Sequence, residues 1–302
     1  MRPIIVVGSI NMDVVTRTSR LPRPGETVAG QSVHFIPGGK GSNQAIAASR
    51  LQGAVRLVGK LGQDAFGASL RAFFQTESLD VSGVQTIPTA PTGTALIVVD
   101  DHSENAIVVV GGANLQNTAE DVEDLPLSGN EIIVTQFEIP QATVLALFRK
   151  AKSVGATTIL NPAPAAQCPP EILALSDMLI VNETELAFFA NSPSVPETRE
   201  AIAALAAQLR TRPEQIILVT LGAKGVLAFT PSGVVEVAGR AVKAIDTTGA
   251  GDCFVGALAV ALSENQPLSQ ALEFANLAAA LSVQKLGASS SMPTRAELEA
   301  AH

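Results

Sequence analysis

Tryptophan and tyrosine are both absent from this chain of 302 residues, which leaves phenylalanine, at 11 copies, as the only aromatic of the three. Stacking platforms for single-stranded nucleic acid or polysaccharide, and the interfacial belts of membrane proteins, draw on such rings. Positive charge is also scarce. Lys and Arg number 20 against 28 Asp and Glu, for a formal net charge of -8 and a pI near 5.0. No basic field exists to attract a phosphate backbone or an anionic lipid surface, so neither nucleic acid nor membrane is an expected partner. The two cysteines, Cys168 and Cys253, form no CxxC, and His34, His102 and His302 are scattered. No zinc spacing results, and two thiols in a chain of this size suit a reducing compartment. Long apolar runs are missing as well. Ile4 to Val7 is stopped by Gly8, too short for a secretory signal, and nothing approaches the ~20 apolar residues of a membrane span. The expectation is a soluble cytoplasmic protein.

What is present is a composition for packing: 47% hydrophobic, 16% charged, mean hydropathy +0.31. A chain this long buries roughly 75% of its unfolded surface and needs no disulfide or metal to fold. IIVVGSINMD reads as a buried strand feeding a loop, with Asn11 and Asp13 at the strand's C-terminal end, where open α/β sheets bind ligands. Residues 14–37, punctuated by Pro22, Pro24, Gly25 and Gly30, suit exposed strands. VQTIP, TGTALIVVDD and NAIVVVGGA read as a small antiparallel set, with DDHSEN as a hairpin turn. From residue 131 strand and helix alternate, through EIIVTQFE, TTILNPAP, MLIVNETELAFF and QIILVTLGAKG, which argues a parallel sheet covered on both faces. GVLAFTPSGVVEV is a predicted β-hairpin.

The sharpest feature is Asp246-Thr247-Thr248-Gly249-Ala250-Gly251-Asp252, directly before the predicted helix CFVGALAVALSE. Free N–H groups at a helix N-terminus, with glycines permitting close approach, make an anion site. A carboxylate at the same spot is odd for a pure phosphate cradle. It makes sense if Asp252 takes a proton from a hydroxyl while the amides hold an incoming phosphoryl group, the plain alternative being a helix-capping carboxylate. There is no GxxxxGK[ST], and no GxGxxG in a strand-to-helix setting, which excludes a P-loop NTPase and weakens a nicotinamide enzyme. Gly38-Gly39-Lys40-Gly41-Ser42-Asn43-Gln44 is a second glycine-rich stretch whose backbone can approach a ligand, or an ordinary loop and cap. Glu138 closes the strand EIIVTQFE. Asn182 and Glu185 open a helix, where they could organise a magnesium hydration shell or form a capping box.

In sequence order, NMD, PGETVAG, GGKGSNQA, NETE, VTLGAKG, DTTGAGD and KLGASSS resemble the motifs of the ribokinase family of carbohydrate kinases, from residue 4 to about 293. The resemblance implies a three-layer, Rossmann-like α/β core with a mostly parallel sheet, forming one domain over residues 1–302. A small discontinuous β-sheet lid, residues 14–37 and 91–110, is inserted in it and commonly forms a dimer contact. It further implies ATP, Mg²⁺ and a monovalent cation, K⁺, as cofactors and a small sugar as substrate. Asp252 would be the general base, with the amides of Gly249, Ala250 and Gly251 as anion hole. Asn11, Asp13, Gly39, Lys40, Gly41, Ser42, Asn43 and Glu138 fall at sugar-holding positions. Asn182 and Glu185 fall at those that arrange magnesium and phosphates. Thr220, Leu221, Gly222, Ala223, Lys224 and Gly225, with Gly251 and Asn276, fall along the nucleotide. Asp246, Thr248 and Ser291, with backbone oxygens of Ser282, Lys285 and Gly287, fall around the monovalent cation. Ser42 and Asn276 depart from the common Ala and His without disturbing the chemistry.

Ribose, phosphorylated at its 5-hydroxyl, is the expected acceptor. The alternatives are another small sugar or nucleoside (deoxyribose, fructose, adenosine or inosine), or a regulator that binds sugar or nucleotide without catalysis. A lid with Phe35 and no Tyr or Trp favours a bare sugar over a nucleoside.

Overall fold

A computed structural model describes residues 1–102 and 104–301. Ser103, in the DDHSEN turn, and His302 lie outside the described residues. Thirteen strands are described: β1 Ile4–Val7, β2 Asn11–Thr18, β3 Gly30–Gly38, β4 Val55–Gly62, β5 Asp80–Ile87, β6 Gly93–Val99, β7 Asn105–Val110, β8 Ile132–Gln136, β9 Thr157–Asn161, β10 Met178–Asn182, β11 Ile216–Thr220, β12 Gly225–Thr230 and β13 Gly233–Ala238. Nine of them form one sheet in the order β13-β12-β11-β10-β9-β8-β1-β4-β5. From β11 to β5 every pairing is parallel; the hairpin β12–β13 adds an antiparallel edge.

Both faces of the central strands β1, β8, β9, β10 and β11 are buried, which is why these strands are mostly apolar runs. Ile4 and Val6 join the helices Lys40–Arg50, Ala250–Ser263 and Leu268–Ser282 in one core, whereas Ile5 and Val7 join Val144, Leu147 and Phe148 of the helix Gln141–Val154 in a second. The result is a three-layer α/β core, each buried Leu, Ile or Phe contributing about 1.5–3 kcal/mol. None of the described helices is long and apolar enough to cross a membrane.

Small residues bring two helices unusually close, and that contact builds the site. A Cβ on Gly256 would lie 2.5 Å from the Gln44 carbonyl oxygen and 2.8 Å from the Ala47 Cβ. Ala45, Ala47 and Ala48 complete the seam and are fully buried. One turn before Gly256, Asp252 therefore meets the first turn of the Lys40–Arg50 helix.

The second sheet has the order β3-β2-β6-β7. Three sequence-based expectations change here. VQTIP is not part of the small sheet: it lies in β5, parallel to β4 at the edge of the large one. The helix Ala65–Phe74 separates β4 from β5, and a helical crossover returns the chain parallel within the same sheet, which alternation of apolar residues cannot reveal. Nor is the small sheet wholly antiparallel, since β2 pairs parallel with β6. Finally, Asn11 and Asp13 do not end the first strand. β1 stops at Val7, and both residues open β2, so they belong to the small sheet where it meets the large one.

Candidate active site

Asp252 stands in the first turn of the helix Ala250–Ser263 and is 5% exposed. Its two oxygens accept from different amides: Asn43 Nδ2 donates to Oδ2 and Gln44 Nε2 to Oδ1, each at 3.0 Å. Gly249, at φ +76°, takes the left-handed conformation that starts this helix, and a Cβ there would meet Ala288 at 3.0 Å. The 246–252 turn is thereby packed onto the 287–292 segment. The N–H groups of Gly249 and Gly251 find no backbone carbonyl among the described residues, and both glycines line a cavity of about 210 Å³. They stand at the positive end of a helix dipole, which favours an anion there. Ala250 differs from expectation. Its N–H donates to the Thr247 carbonyl at 3.2 Å, because the tight turn folds back on itself, and Ala250 lines a neighbouring groove instead.

Lys40, Asn182, Glu185, Thr220 and Asp252 line the same 210 Å³ cavity. Lys40 is ringed by acids. Asp252 first, then Glu138 and Glu185, hold its ammonium above the ordinary lysine range despite burial. Glu185 is pushed up by burial; its carboxylate also accepts from the Asn182 N–H at 2.9 Å, within a capping box. The capping reading of Asn182 and Glu185 is thus observed, and it leaves Glu185 facing the cavity.

The other side of Lys40 belongs to the glycine-rich stretch. Glu138 Oε2 accepts from Ser9 Oγ at 2.5 Å and from the Lys40 N–H at 3.0 Å, and Ser9 Oγ accepts from the Gly41 N–H at 3.2 Å. Gly39 has φ +89°, and a Cβ there would lie 2.7 Å from the Asn11 nitrogen. Ser42 Oγ donates to the Gly38 carbonyl at 2.5 Å, so it braces the loop rather than facing open space. Asp13 lies against Gly38, where a Cβ would come 2.2 Å from its carboxylate. Burial, then the charges of Glu138 and Asp252, push Asp13 up to about 7. Asn11 Oδ1 accepts from Asn114 Nδ2 at 2.6 Å, and Asn114 Oδ1 accepts from the Ile10 N–H at 2.9 Å. Asn11, Asp13, Gly39, Lys40, Asn43, Glu138 and Asp252 are thus brought to one place.

A groove of about 460 Å³ joins the cavity at Thr220 and Gly251. Its walls include Gly222, Ala223, Gly225, Thr247, Ala250 and Asn276. Gly225 is obligatory here: at φ +105°, a Cβ would meet the Val237 carbonyl oxygen at 2.0 Å. Leu221 and Lys224 do not line the groove. Leu221 packs toward the apolar core, and Lys224 is exposed. Asn276 Nδ2 donates to the Ala238 carbonyl at 2.8 Å, tying the helix Leu268–Ser282 to the end of β13 along the groove wall.

Asp246 accepts from the N–H groups of Thr248 and Gly287, each at 2.9 Å, and these bonds outweigh burial and keep its carboxyl below the usual range. Ser282 and Ser291 are buried nearby in the chain segments this joins, each donating to a backbone carbonyl. The Lys285 ammonium pairs with Glu297 at 2.6 Å.

The chain matches the model of the pfkB family carbohydrate kinases over residues 1–295. It belongs to that family. A ribokinase of Haemophilus influenzae is 37% identical over 298 residues, covering 98% of this chain and 97% of the relative. Among solved structures, a ribokinase of Thermotoga maritima superposes with a TM-score of 0.89 at 35% identity, covering 99% of both chains. The Arabidopsis thaliana ribokinase complexed with ribose and ATP gives 0.89 at 33%, covering 99% of this chain and 98% of that one. As a pfkB-family kinase, the chain carries a site with residues that sequence reasoning did not single out: Ser9, Asn114, Gln136 and Asn161. Ser9 adjoins NMD and could have been found there. The other three sit in unremarkable strand ends and turns, and only folding makes them neighbours of the site.

Proposed function

We propose that this chain transfers the γ-phosphoryl group of ATP to the 5-hydroxyl of ribose, giving ribose 5-phosphate and ADP. The observation that carries the reading is Asp252: a buried carboxylate, gripped by two amides, lining a polar cavity that meets a larger groove at its neighbour Gly251. The groove suits a nucleotide, and the family resemblance and the named relatives support ATP and ribose. The sugar would lie among Asn11, Asp13, Gly39, Lys40, Asn43 and Glu138. Asp252 takes the proton of the 5-hydroxyl as its oxygen attacks the γ-phosphorus. The N–H groups of Gly249 and Gly251 and the Lys40 ammonium face the charge that develops on the transferring group.

Magnesium, bound with the nucleotide, supplies neutralisation of phosphate charge. No cluster of three His, Cys, Asp or Glu side chains able to hold a metal exists among the described residues. Glu185, which faces the cavity, and Asn182 beside it would supply the protein's oxygens to an ion otherwise held by water and phosphate. Asp246, Thr248 and Ser291, with backbone oxygens of Ser282, Lys285 and Gly287, would form an all-oxygen donor set, the kind that suits an alkali cation. Its effect would be to hold the 246–252 turn against the 287–292 segment.

The small sheet is read as a lid that excludes water so that phosphate reaches the sugar. Phe35, Leu96 and Val108 stand in one row across it, each exposed, and Ile107 and Val109 are exposed on the opposite face. A second copy of this chain is the partner read from that surface. The protein is expected to sediment at twice its 31.1 kDa chain mass, and a Phe35→Ser, Val108→Ser variant at once that mass. A monomeric parent would remove the dimer from this reading. The experiment that tests the reading as a whole is ADP release from MgATP in the presence of ribose.

A further inference from the structure

Asn43 and Gln44 can present either end of their amides to a neighbour, yet both must present N–H to Asp252, because a carboxylate only accepts. Each amide has a second buried partner at its oxygen end. Gln136 Nε2 donates to Gln44 Oε1 at 2.6 Å, and Ser289 Oγ donates to Asn43 Oδ1 at 2.6 Å. Gln136 and Ser289 are fully buried, and the carboxylate's hydrogen bonds go to Asn43 and Gln44 instead. They come from separate elements, Gln136 from the end of β8 and Ser289 from the segment after the Leu268–Ser282 helix. A further acceptor, Asn161 Oδ1, lies 3.3 Å from Gln44 Nε2, and Asn161 is itself held by donation to the Ile180 carbonyl.

The Gln136 side chain is an expensive choice for the fold. Its Oε1 is buried without a hydrogen-bond partner. Room for it exists only because residue 8 is glycine, where a Cβ would come 2.1 Å from that oxygen. An apolar side chain of the same length would remove that orphan but leave the buried Gln44 Oε1 without its donor. What Gln136 supplies in return is direction. With its N–H on Gln44 Oε1, the Gln44 amide cannot turn its oxygen toward Asp252.

We propose that Gln136 and Ser289 are positioning residues for the phosphoryl-transfer step, locking the amides of Gln44 and Asn43 so that both donate to Asp252. Two of the carboxylate's lone pairs are thereby occupied, and the remaining ones are held toward the cavity that Asp252 lines. This rests on Asp252 being the base.

The test is a comparison of Gln136→Met in two backgrounds. In the parent, kcat for ribose phosphorylation falls about tenfold, the size of one charge-assisted hydrogen bond, while KM for ribose and for MgATP stays within about twofold. In Asp252→Asn, the same substitution changes the residual rate less than about twofold, since no carboxylate is left to orient. Ser289→Ala, which removes only a hydroxyl, is the second variant should Gln136→Met not fold; its kcat loss likewise disappears in Asp252→Asn. Folded variants with unchanged kcat, or with equal losses in both backgrounds, would overturn the proposal. Normal turnover by Asp252→Asn alone would instead overturn the reading beneath it, so the two failures are distinguishable.

Discussion

Asp252→Asn lowers kcat by about 10²–10⁴-fold, the range that general-base catalysis contributes, and leaves ribose and MgATP affinity within a few-fold of the parent. The asymmetry follows from what the carboxylate does. Its oxygens accept from Asn43 and Gln44, and it faces a cavity lined by Lys40, Gly249 and Gly251. An asparagine fills the same volume and can still accept one of the two amides. It cannot take a proton from an alcohol. Its own NH₂ must also face either Asn43 or Gln44, both of which are held donor-first, so a few degrees of lost stability accompany the lost rate. Steady-state turnover paired with titration calorimetry for ribose separates the two effects. Loss of binding in step with loss of rate would make Asp252 a binding residue and not the base.

Asp13→Asn has the second-largest effect, and it acts on binding. A buried carboxylate beside Glu138, in the corner where the small sheet meets the core, is an acceptor for sugar hydroxyls worth roughly 1.5–3 kcal/mol per bond. KM for ribose should rise about 10²-fold, with kcat changed far less. The same substitution carries a stability signature of the opposite sign. Asp13 is pushed up to about 7 by burial and by Glu138 and Asp252. Between the ordinary carboxylate value of 3.8 and about 7, the native protein therefore binds a proton that the unfolded chain has lost. Stability attributable to this group is greatest below pH ~4 and falls as pH rises toward 7, because the slope follows the protons bound in the unfolded state minus those in the native state. Asp13→Asn removes that penalty: the free variant melts higher than the parent at pH 8 and close to it at pH 4. A variant less stable than the parent at both pH values would contradict the burial argument.

The trade seen at Asp13 has a structural cause. Three carboxylates, Glu138, Glu185 and Asp252, act on one ammonium, Lys40, and Asp13 adds its charge beside Glu138 and Asp252. Such an arrangement costs the free protein stability, and on the proposed function it would be relieved when hydroxyl donors and cation-bearing phosphates enter. The site is built for its ligands and not for the empty fold.

Much of this was legible before folding. DTTGAGD and GGKGSNQ announce a helix N-terminus with a carboxylate and a close-approach loop, and glycines at 39 and 249 have the positive φ those turns require. The parallel core was legible because strands buried on both faces leave unbroken apolar runs. What stayed hidden depends on contacts between distant segments. VQTIP reads identically whichever sheet it joins, and only the crossover helix sends it to β4. Asn11 and Asp13 sit four and six residues beyond Val7, where β1 ends, and local pattern extends that strand too far because Gly8 to Ile10 turn the chain into a new sheet. Gln136 looks like the polar end of an apolar strand until Gln44, from a helix 92 residues away, is placed against it. Ala250 shows the reverse: the motif offers its amide to an anion, and the turn's own geometry gives it to Thr247.

The measurement that tests the central claim most directly is ADP release from MgATP across ribose, deoxyribose, fructose, adenosine and inosine, in potassium and in sodium alone. Ribose is expected to be used well above the others, and potassium is expected to raise the rate. Release of ADP with none of these acceptors, or equal release with and without sugar, would contradict that claim.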